Sequence, residues 1–358
     1  MTRALSIPDR FCRDVTRTIQ AHDMFRTADA VLLAVSGGPD SMALVRVMMG
    51  LSTELGIRIG LAHLNHGLRN GDADLDQSFV QQFAETHGLP CFCETRDVAA
   101  LAGHWKTSLE DAGRRARCDF FSRTAVANGY TCIATGHTRD DNAEQVLMAL
   151  LRGSGPSGLV GIPAKRDDRV IRPLIDRSKK EILAFLDAVE QTFVTDDSNR
   201  DPAFLRNRIR HLLIPLLETE YNPGIKQGLN RLSRILGPED HFLDEHARQA
   251  FDTCVEKKEA ASIVLSLPGL EALHPALLPR VLRHAIVSVK SDLRRITHDH
   301  ISAIRHLIAH AAPGKHIDLP DRIRIYKTRN RICVKKETMP LRQLGWMHKL
   351  SGLRPPKA

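Results

Sequence analysis

The chain has 358 residues, 42% of them hydrophobic and 26% charged, which is material for two or more cores and excludes wholesale disorder. Its 51 lysines and arginines exceed its 42 aspartates and glutamates, and the balance of +9 favours an anionic partner, nucleic acid or phosphate, while 5% aromatics argue against a sheet that stacks many bases. The longest apolar runs, 30–35 and 146–151, fall far short of the roughly 20 residues of a membrane helix, and no stretch of signal-peptide length follows the N-terminus, so a cytoplasmic protein without a membrane partner is expected.

Apolar runs at 30–35, 57–63, 90–94 and 131–135 predict strands, and the amphipathic stretches 41–50, 74–85, 109–127 and 140–151 predict helices between them. This alternation predicts an α/β fold, a parallel sheet covered on both faces. After Leu151 come a Gly- and Pro-bearing loop over 152–163, an extended piece at 170–174 and a helix near 179–189. From about Asn207 the chain reads helical, punctuated by Pro215 and Pro223, with further helices at 275–289 and 298–310. Short strands fit 316–319, 323–326 and 332–335, and the tail from Lys336 lacks strong periodicity. The expected organisation is an α/β domain over 1–216, a mainly helical domain over 217–312, and a small β element with a tail over 313–358.

Ser36-Gly37-Gly38-Pro39-Asp40-Ser41 follows the first strand and opens a helix, as a phosphate-binding loop does. Gly37 and Gly38 let the backbone approach a polyanion, loop and helix amides point at it, and Ser36 and Ser41 offer hydroxyls. Asp40 repels bare phosphate, so a bridging cation such as Mg²⁺ is implied. The spacing is not that of a Walker loop; it matches S-G-G-x-D-S of the N-type ATP pyrophosphatases, which cleave ATP between the α- and β-phosphates. At the end of the second predicted strand stand His63, Asn65, His66 and Arg69, where ligands gather in open α/β sheets, and alternation puts His63 and Asn65 on one face. After the fourth strand, Gly136-His137-Thr138-Arg139-Asp140-Asp141-Asn142-Ala143-Glu144 begins a helix. Asp140 is either a helix cap or a ligand, and Asp141 and Glu144 share a helix face from which they could hold Mg²⁺ opposite Asp40.

Arg114 and Arg117 lie one helical turn apart and could reach a phosphate or a base together. Arg206, Arg208 and Arg210 form a second basic group; Arg206 and Arg210 share a face and Ile209 turns inward, a pattern open to RNA or phosphate contact. Gly153, Gly155 and Gly158 spell G-x-G-x-x-G, but they follow a helical pattern and enclose Pro156, so a loop is expected rather than a dinucleotide site. Seven cysteines, an odd number, do not suggest a disulfide framework; Cys91 and Cys93 read as two buried core thiols on one strand face. No C-x-x-C and no H-E-x-x-H occurs.

Taken in order, these motifs resemble the tRNA(Ile)-lysidine synthetase family. That family runs S-G-G-x-D-S, H-x-N-H-x-L-R, E-x-x-x-R-x-x-R, G-H-x-x-D-D-x-x-E, L-R-G-x-G-x-x-G-L-x-G-x-P, D-x-S-N and R-N-x-I-R, supplied here at 36–41, 63–69, 110–117, 136–144, 151–163, 196–199 and 206–210. The likeness covers about residues 30–216 and departs at Gly113, Cys118 and Gln145, where Ala, Tyr and Thr are usual. Residues 319–324 resemble the start of a small β element of longer members. The resemblance implies a Rossmann-like PP-loop ATPase domain followed by a helical tRNA-binding domain. It implies that Ser36, Gly37, Gly38, Pro39, Asp40, Ser41, His63 and Asn65 bind ATP, and that Asp40 and Asp141 hold Mg²⁺. Asp40, Arg114, Arg117, His137 and Asp141 would act in catalysis, and Arg206, Arg208 and Arg210 would contact tRNA.

The implied reaction adenylates C2 of the wobble cytidine of tRNA(Ile) bearing a CAU anticodon, after which free lysine displaces AMP; His137 and Asp141 are candidates to accept the amine's proton. Two alternatives stand beside it. A PP-loop tRNA thiolase is disfavoured by the missing C-x-x-C, and a non-catalytic RNA-binding protein by the intact Asp40, Asp140, Asp141 and Glu144.

Overall fold

A computed structural model describes residues 5–67, 72–166, 169–195 and 205–339. Arg69, the 196–199 block and the tail from 340 lie outside the described residues. The chain divides into two compact units, Met1–Leu236 and Gly237–Ala358. The division falls inside a single helix, just before Pro238, and lies between the expected bounds at 216 and 312.

The first unit begins with a helix the sequence reading did not anticipate, α1 (Ile7–Ala21), capped by Ser6, whose hydroxyl accepts from the Asp9 amide, with Pro8 in its first turn. Strand β1 (Ala30–Ala34) leads into α2 (Pro39–Leu55), which ends on Gly56 in the left-handed region. Then follow β2 (Arg58–Asn65), α3 (Asp72–Thr86), β3 (Cys91–Thr95), α4 (Val98–Trp105), α5 (Leu109–Ala127) and β4 (Cys132–Ala134). Asp97 and Ser108 cap α4 and α5. Next come α6 (Arg139–Leu151), the one-turn α7 (Pro156–Leu159) inside the expected Gly/Pro loop, the short β5 (Val170–Ile171) and α8 (Lys179–Ala188).

The five strands form one sheet in the order β3-β2-β1-β4-β5, and every pairing within it is parallel. Alternation on β1 decides the layers. Val31 and Leu33 join a core with residues of α1, α2, α3 and α8, while Ala30 and Leu32 join a second core on the other face with α4 and α5. Cys91 and Cys93 are half-buried on the edge strand β3 with their sulfurs 3.8 Å apart, not buried core thiols, because an edge strand is covered on fewer sides.

After the undescribed 196–204 segment the chain is helical: α9 (Leu205–Arg208), a π-helix (Ile209–Leu213), α10 (Ile214–Glu220) and the long α11 (Ile225–Cys254). The π-turn has a local cause. Pro215 has no N–H for the carbonyl four residues back, and the Ile214 amide bonds to Ile209 five residues back instead.

The second unit carries an antiparallel five-stranded sheet, ordered β6 (Val255–Glu259), β7 (Ser262–Ser266), β10 (Arg331–Lys336), β9 (Ile323–Lys327), β8 (His316–Leu319). Helices α12 (Leu267–Glu271), α13 (Leu278–Lys290) and α14 (His298–His310) share its core. The three C-terminal strands match the expected small β element; the β6–β7 hairpin enlarges it. Glu256–Glu259 is charged and exposed, an edge strand without an apolar alternation to reveal it. Among the described residues no helix is long and apolar enough to cross a membrane.

Candidate active site

In the order β3-β2-β1-β4-β5 the chain winds outward in opposite directions on either side of β1 and β4, so the loops after these two strands flank the crevice where ligands sit in such sheets. The loop after β1 is Ser36–Ser41. Ser41 lies buried beneath it: its hydroxyl donates to the Gly38 carbonyl at 2.8 Å and accepts from the Ser36 amide at 3.2 Å. Gly37 has φ of +84°, a conformation side chains other than hydrogen rarely adopt. Gly38 is the N-cap of α2 and Pro39 opens its first turn, so the positive end of a 17-residue helix faces the loop.

The loop after β4 presses directly on it. A Cβ on Gly136 would lie 3.0 Å from the Asp40 carbonyl oxygen and 3.2 Å from the Ser41 nitrogen, backbone atoms that cannot rotate away. Thr138 caps α6 and forms a reciprocal capping box with Asp141. One oxygen of Asp141 accepts from the Thr138 amide and hydroxyl, both at 2.8 Å, and the other from Arg206 at 2.8 Å and Arg210 at 3.0 Å. Glu144, 3% exposed, takes the same two arginines at 2.9 and 2.6 Å. Burial opposes the charge on Asp141, but Arg206, His137 and Arg210 outweigh it and hold the carboxyl below its ordinary range. Arg206 and Arg210, expected to reach for tRNA, thus face the acids of α6; Arg208 is exposed beside Leu205, Leu212 and Leu216, and Ile209 turns inward as expected.

His137 shares a hydrogen bond with Thr135 through Nδ1 at 2.8 Å, and burial, only partly offset by Asp141, pushes its pKa down to about 4. A neutral imidazole of that kind is a poor acceptor for an ammonium proton, and Asp141 with both oxygens engaged is no better. Asp140 is a tie rather than a free ligand: its oxygens accept from the Lys179 amide at 2.8 Å and pair with Lys226 at 3.1 Å.

Two residues expected at the nucleotide also make bonds within the fold. The His63 Nδ1–H donates to the Val35 carbonyl at 2.9 Å, propping the strand end just before the loop. Its other nitrogen is buried without a partner, and burial lowers its pKa. Asn65 spends both amide hydrogens on Ala73 and Asp74, and its oxygen accepts from the Gly67 amide, so it ties the end of β2 to α3. Arg114 and Arg117 are exposed on α5 and make no hydrogen bond or ion pair among the described residues, whereas Arg115 between them pairs with Asp111 at 2.7 Å. Desolvation first, and then the neighbouring charges of Arg114 and Arg206, lower the Arg117 pKa against the pull of Cys118 and Glu110.

For a divalent cation the fit rests on Asp40. Its pKa is raised, by burial first and by Asp141, against the opposing pull of Lys179, so it is a carboxylate short of positive charge. Asp141 in this arrangement has no lone pair to spare. Among the described residues no three His, Cys, Asp or Glu side chains group as a metal site. A hard cation here would be held by Asp40, its shell completed by water or by oxygens the substrate brings, as is usual for Mg²⁺ at phosphates.

The sequence pattern of a PP-loop domain family matches residues 10–217, and that of a TilS substrate binding domain matches residues 265–331. A tRNA(Ile)-lysidine synthase of Geobacter sulfurreducens is 40% identical over 332 residues, 92% of this chain and 70% of that protein. The chain belongs to the tRNA(Ile)-lysidine synthase family. A synthase of Clostridium tetani is 32% identical, covering 87% of this chain and 66% of that protein, so the chain spans about two thirds of the length of such relatives. Among solved structures, the U34-tRNA thiolase NcsA of Methanococcus maripaludis superposes with a TM-score of 0.52 at 18% identity, covering 64% of this chain and 79% of that one, which shows a shared fold.

Lys179 was not singled out in the sequence, yet its Nζ lies 2.6 Å from Asp40 Oδ1. A lysine opening a helix carries no signal of its own; only the packing of α8 brings it to the loop. The same holds for Asn230 and Ser233 of α11, which bond Asn142 and fix the back of α6.

Proposed function

We propose that this chain is an ATP-dependent C–N ligase that joins free lysine to C2 of the wobble cytidine of tRNA(Ile) with a CAU anticodon, in the cytoplasm, releasing AMP and pyrophosphate. The observation that carries the reading is the closure of two loops at the switch of the sheet: Asp40 on the first, and the Asp141–Glu144–Arg206–Arg210 cluster behind the second.

The amides of 36–41 and the start of α2 would hold the phosphates of ATP. A Mg²⁺ ion on Asp40 would offset phosphate charge as pyrophosphate leaves. The C2 oxygen of the cytidine then bonds to the α-phosphorus while the bond to the β-phosphate bridge breaks. Lysine's amine next bonds to C2 and AMP departs with that oxygen. Arg114 and Arg117, unpaired and turned to solvent, are placed to meet the negative charge of the α-phosphate or the anticodon backbone. The Asp141–Glu144 pair positions Arg206 and Arg210, so their reach toward RNA is indirect or requires release from the acids. Arg208 is the member of that group free to touch RNA outright. The second unit, where the TilS substrate binding match falls, would hold the body of the tRNA.

The test is incorporation of radiolabelled lysine into tRNA(Ile) with a CAU anticodon, with AMP and pyrophosphate counted in parallel. Equal yields of the three products support the reading; ATP cleavage without lysine incorporation would overturn it.

A further inference from the structure

Lys179 is the first residue of α8. Its backbone is fixed, because its N–H donates to Asp140 and the capping box of Ser178 with Glu181 holds the turn. Its side chain reaches 2.6 Å to Asp40, across 139 residues of sequence. The nearest acid on its own helix does not compete, since Glu181 is taken by Ser178, Arg177 and Arg139. Among the described residues Asp40 has no comparably close second cation: Arg210 acts on it only through its field, while Asp141 repels. Both members of the pair remain partly exposed, at 41% and 32% of their side chains, so the contact can be exchanged. A lysine ammonium on a flexible stem is suited to such exchange, as a bidentate arginine is not.

Resting on the ATP reading above, we infer that Lys179 is a place-holding cation: it neutralises Asp40 until the divalent ion arrives with ATP, and then turns to the phosphates and stabilises the departing pyrophosphate. The two positions are compatible because Asp40 belongs to the same loop whose amides face the phosphates. Asp40 therefore never stands beside an unscreened phosphate, and the ion pair supplies the charge that burial of the aspartate demands. In this role Lys179 passes no proton. The bond broken is that between the α-phosphorus and the bridging oxygen, and the electron pair that stays on that oxygen is the charge Lys179 meets.

The two roles give opposite signs on removal. With no nucleotide present, Lys179→Met frees Asp40, so Mn²⁺ binding measured by water-proton relaxation should tighten about fivefold, the size of a partly exposed ion pair. Pyrophosphate binding in saturating Mn²⁺, measured by calorimetry, should weaken about tenfold or more, the size of a charge-assisted hydrogen bond. Lys179→Gln should repeat both effects, Lys179→Arg should show neither in full, and Asp40→Asn should abolish the gain in Mn²⁺ affinity. A folded Met or Gln variant that binds Mn²⁺ no tighter than the wild type overturns the inference, as does one with unchanged pyrophosphate affinity. The outcome is separable from the proposed function: wild-type protein that forms no lysidine defeats that reading, while these affinities decide the role of Lys179 in either case.

Discussion

Asp40 and His137 show how burial sets what a side chain can do. Burial raises the pKa of Asp40 and Asp141 adds to it, against the opposing pull of Lys179 and Arg210. Asp40→Asn should lower pyrophosphate release by about a hundredfold or more while leaving tRNA affinity within about twofold, since the loss falls on transition-state charge rather than on RNA contacts. Pyrophosphate release near the wild-type rate would remove Asp40 from the reaction. His66 and His137 are both pushed down to about 4, by burial first in each case. An unfolded histidine titrates near 6.5, so the unfolded chain takes up protons that the folded one resists. The stability these two provide is present above about pH 6.5 and is lost as pH falls towards 4. The urea midpoint should decline across that window, and His137→Gln should flatten the decline; an unchanged slope would mean that His137 titrates alike in the folded and unfolded chain.

At the scale of elements, the helical run after residue 204 carries its function in a defect. The π-turn at Ile209–Leu213 sits on Arg210 and is imposed by Pro215. Arg210 lies inside it and Arg206 in the turn before it, and both reach Asp141 and Glu144. Pro215→Ala restores an amide to that turn, and the ordinary α-register would swing the residues before it relative to those after it. Expected is a protein at least as stable to heat, with lysidine formation reduced about tenfold or more, because small displacements of positioning groups cost heavily in rate. Unchanged activity with an intact thermal midpoint would show that the π-turn is incidental.

For the whole molecule, the two compact units divide at Leu236, later in the chain than the expected bound at 216. A cut near residue 220 would strip Asn230 and Ser233 from Asn142 and unsettle α6 and its acids. A chain ending at Leu236 keeps those bonds and should bind ATP, yet lose most tRNA affinity, since the second unit would supply contacts along the tRNA body. Full-length protein should bind tRNA with an affinity that falls steeply with salt, as lysine and arginine contacts release counterions. Filter binding at several salt concentrations reads both; a truncated form with full affinity and selectivity would refute the division of labour.

What could be read from sequence is what local physics dictates. Strand runs, helix periods and the Ser36–Ser41 loop depend on neighbours in the chain, and they announced the α/β fold, the ATP loop and two helices to the residue, Leu109–Ala127 and His298–His310. The partner of each charge depends on residues brought together only by packing. Arg206 and Arg210 read as a basic face open to RNA or phosphate until α6 was set against them; the bonds of His63 to Val35 and of Asn65 to the start of α3 had no signal in the sequence. Lys179 read as nothing until α8 laid it on Asp40. The type of chemistry was thus written locally, because a phosphate loop is a short backbone conformation that few residues allow. The assignment of charges was decided by the tertiary structure, because the field at a buried carboxylate is a sum over groups far apart in the chain.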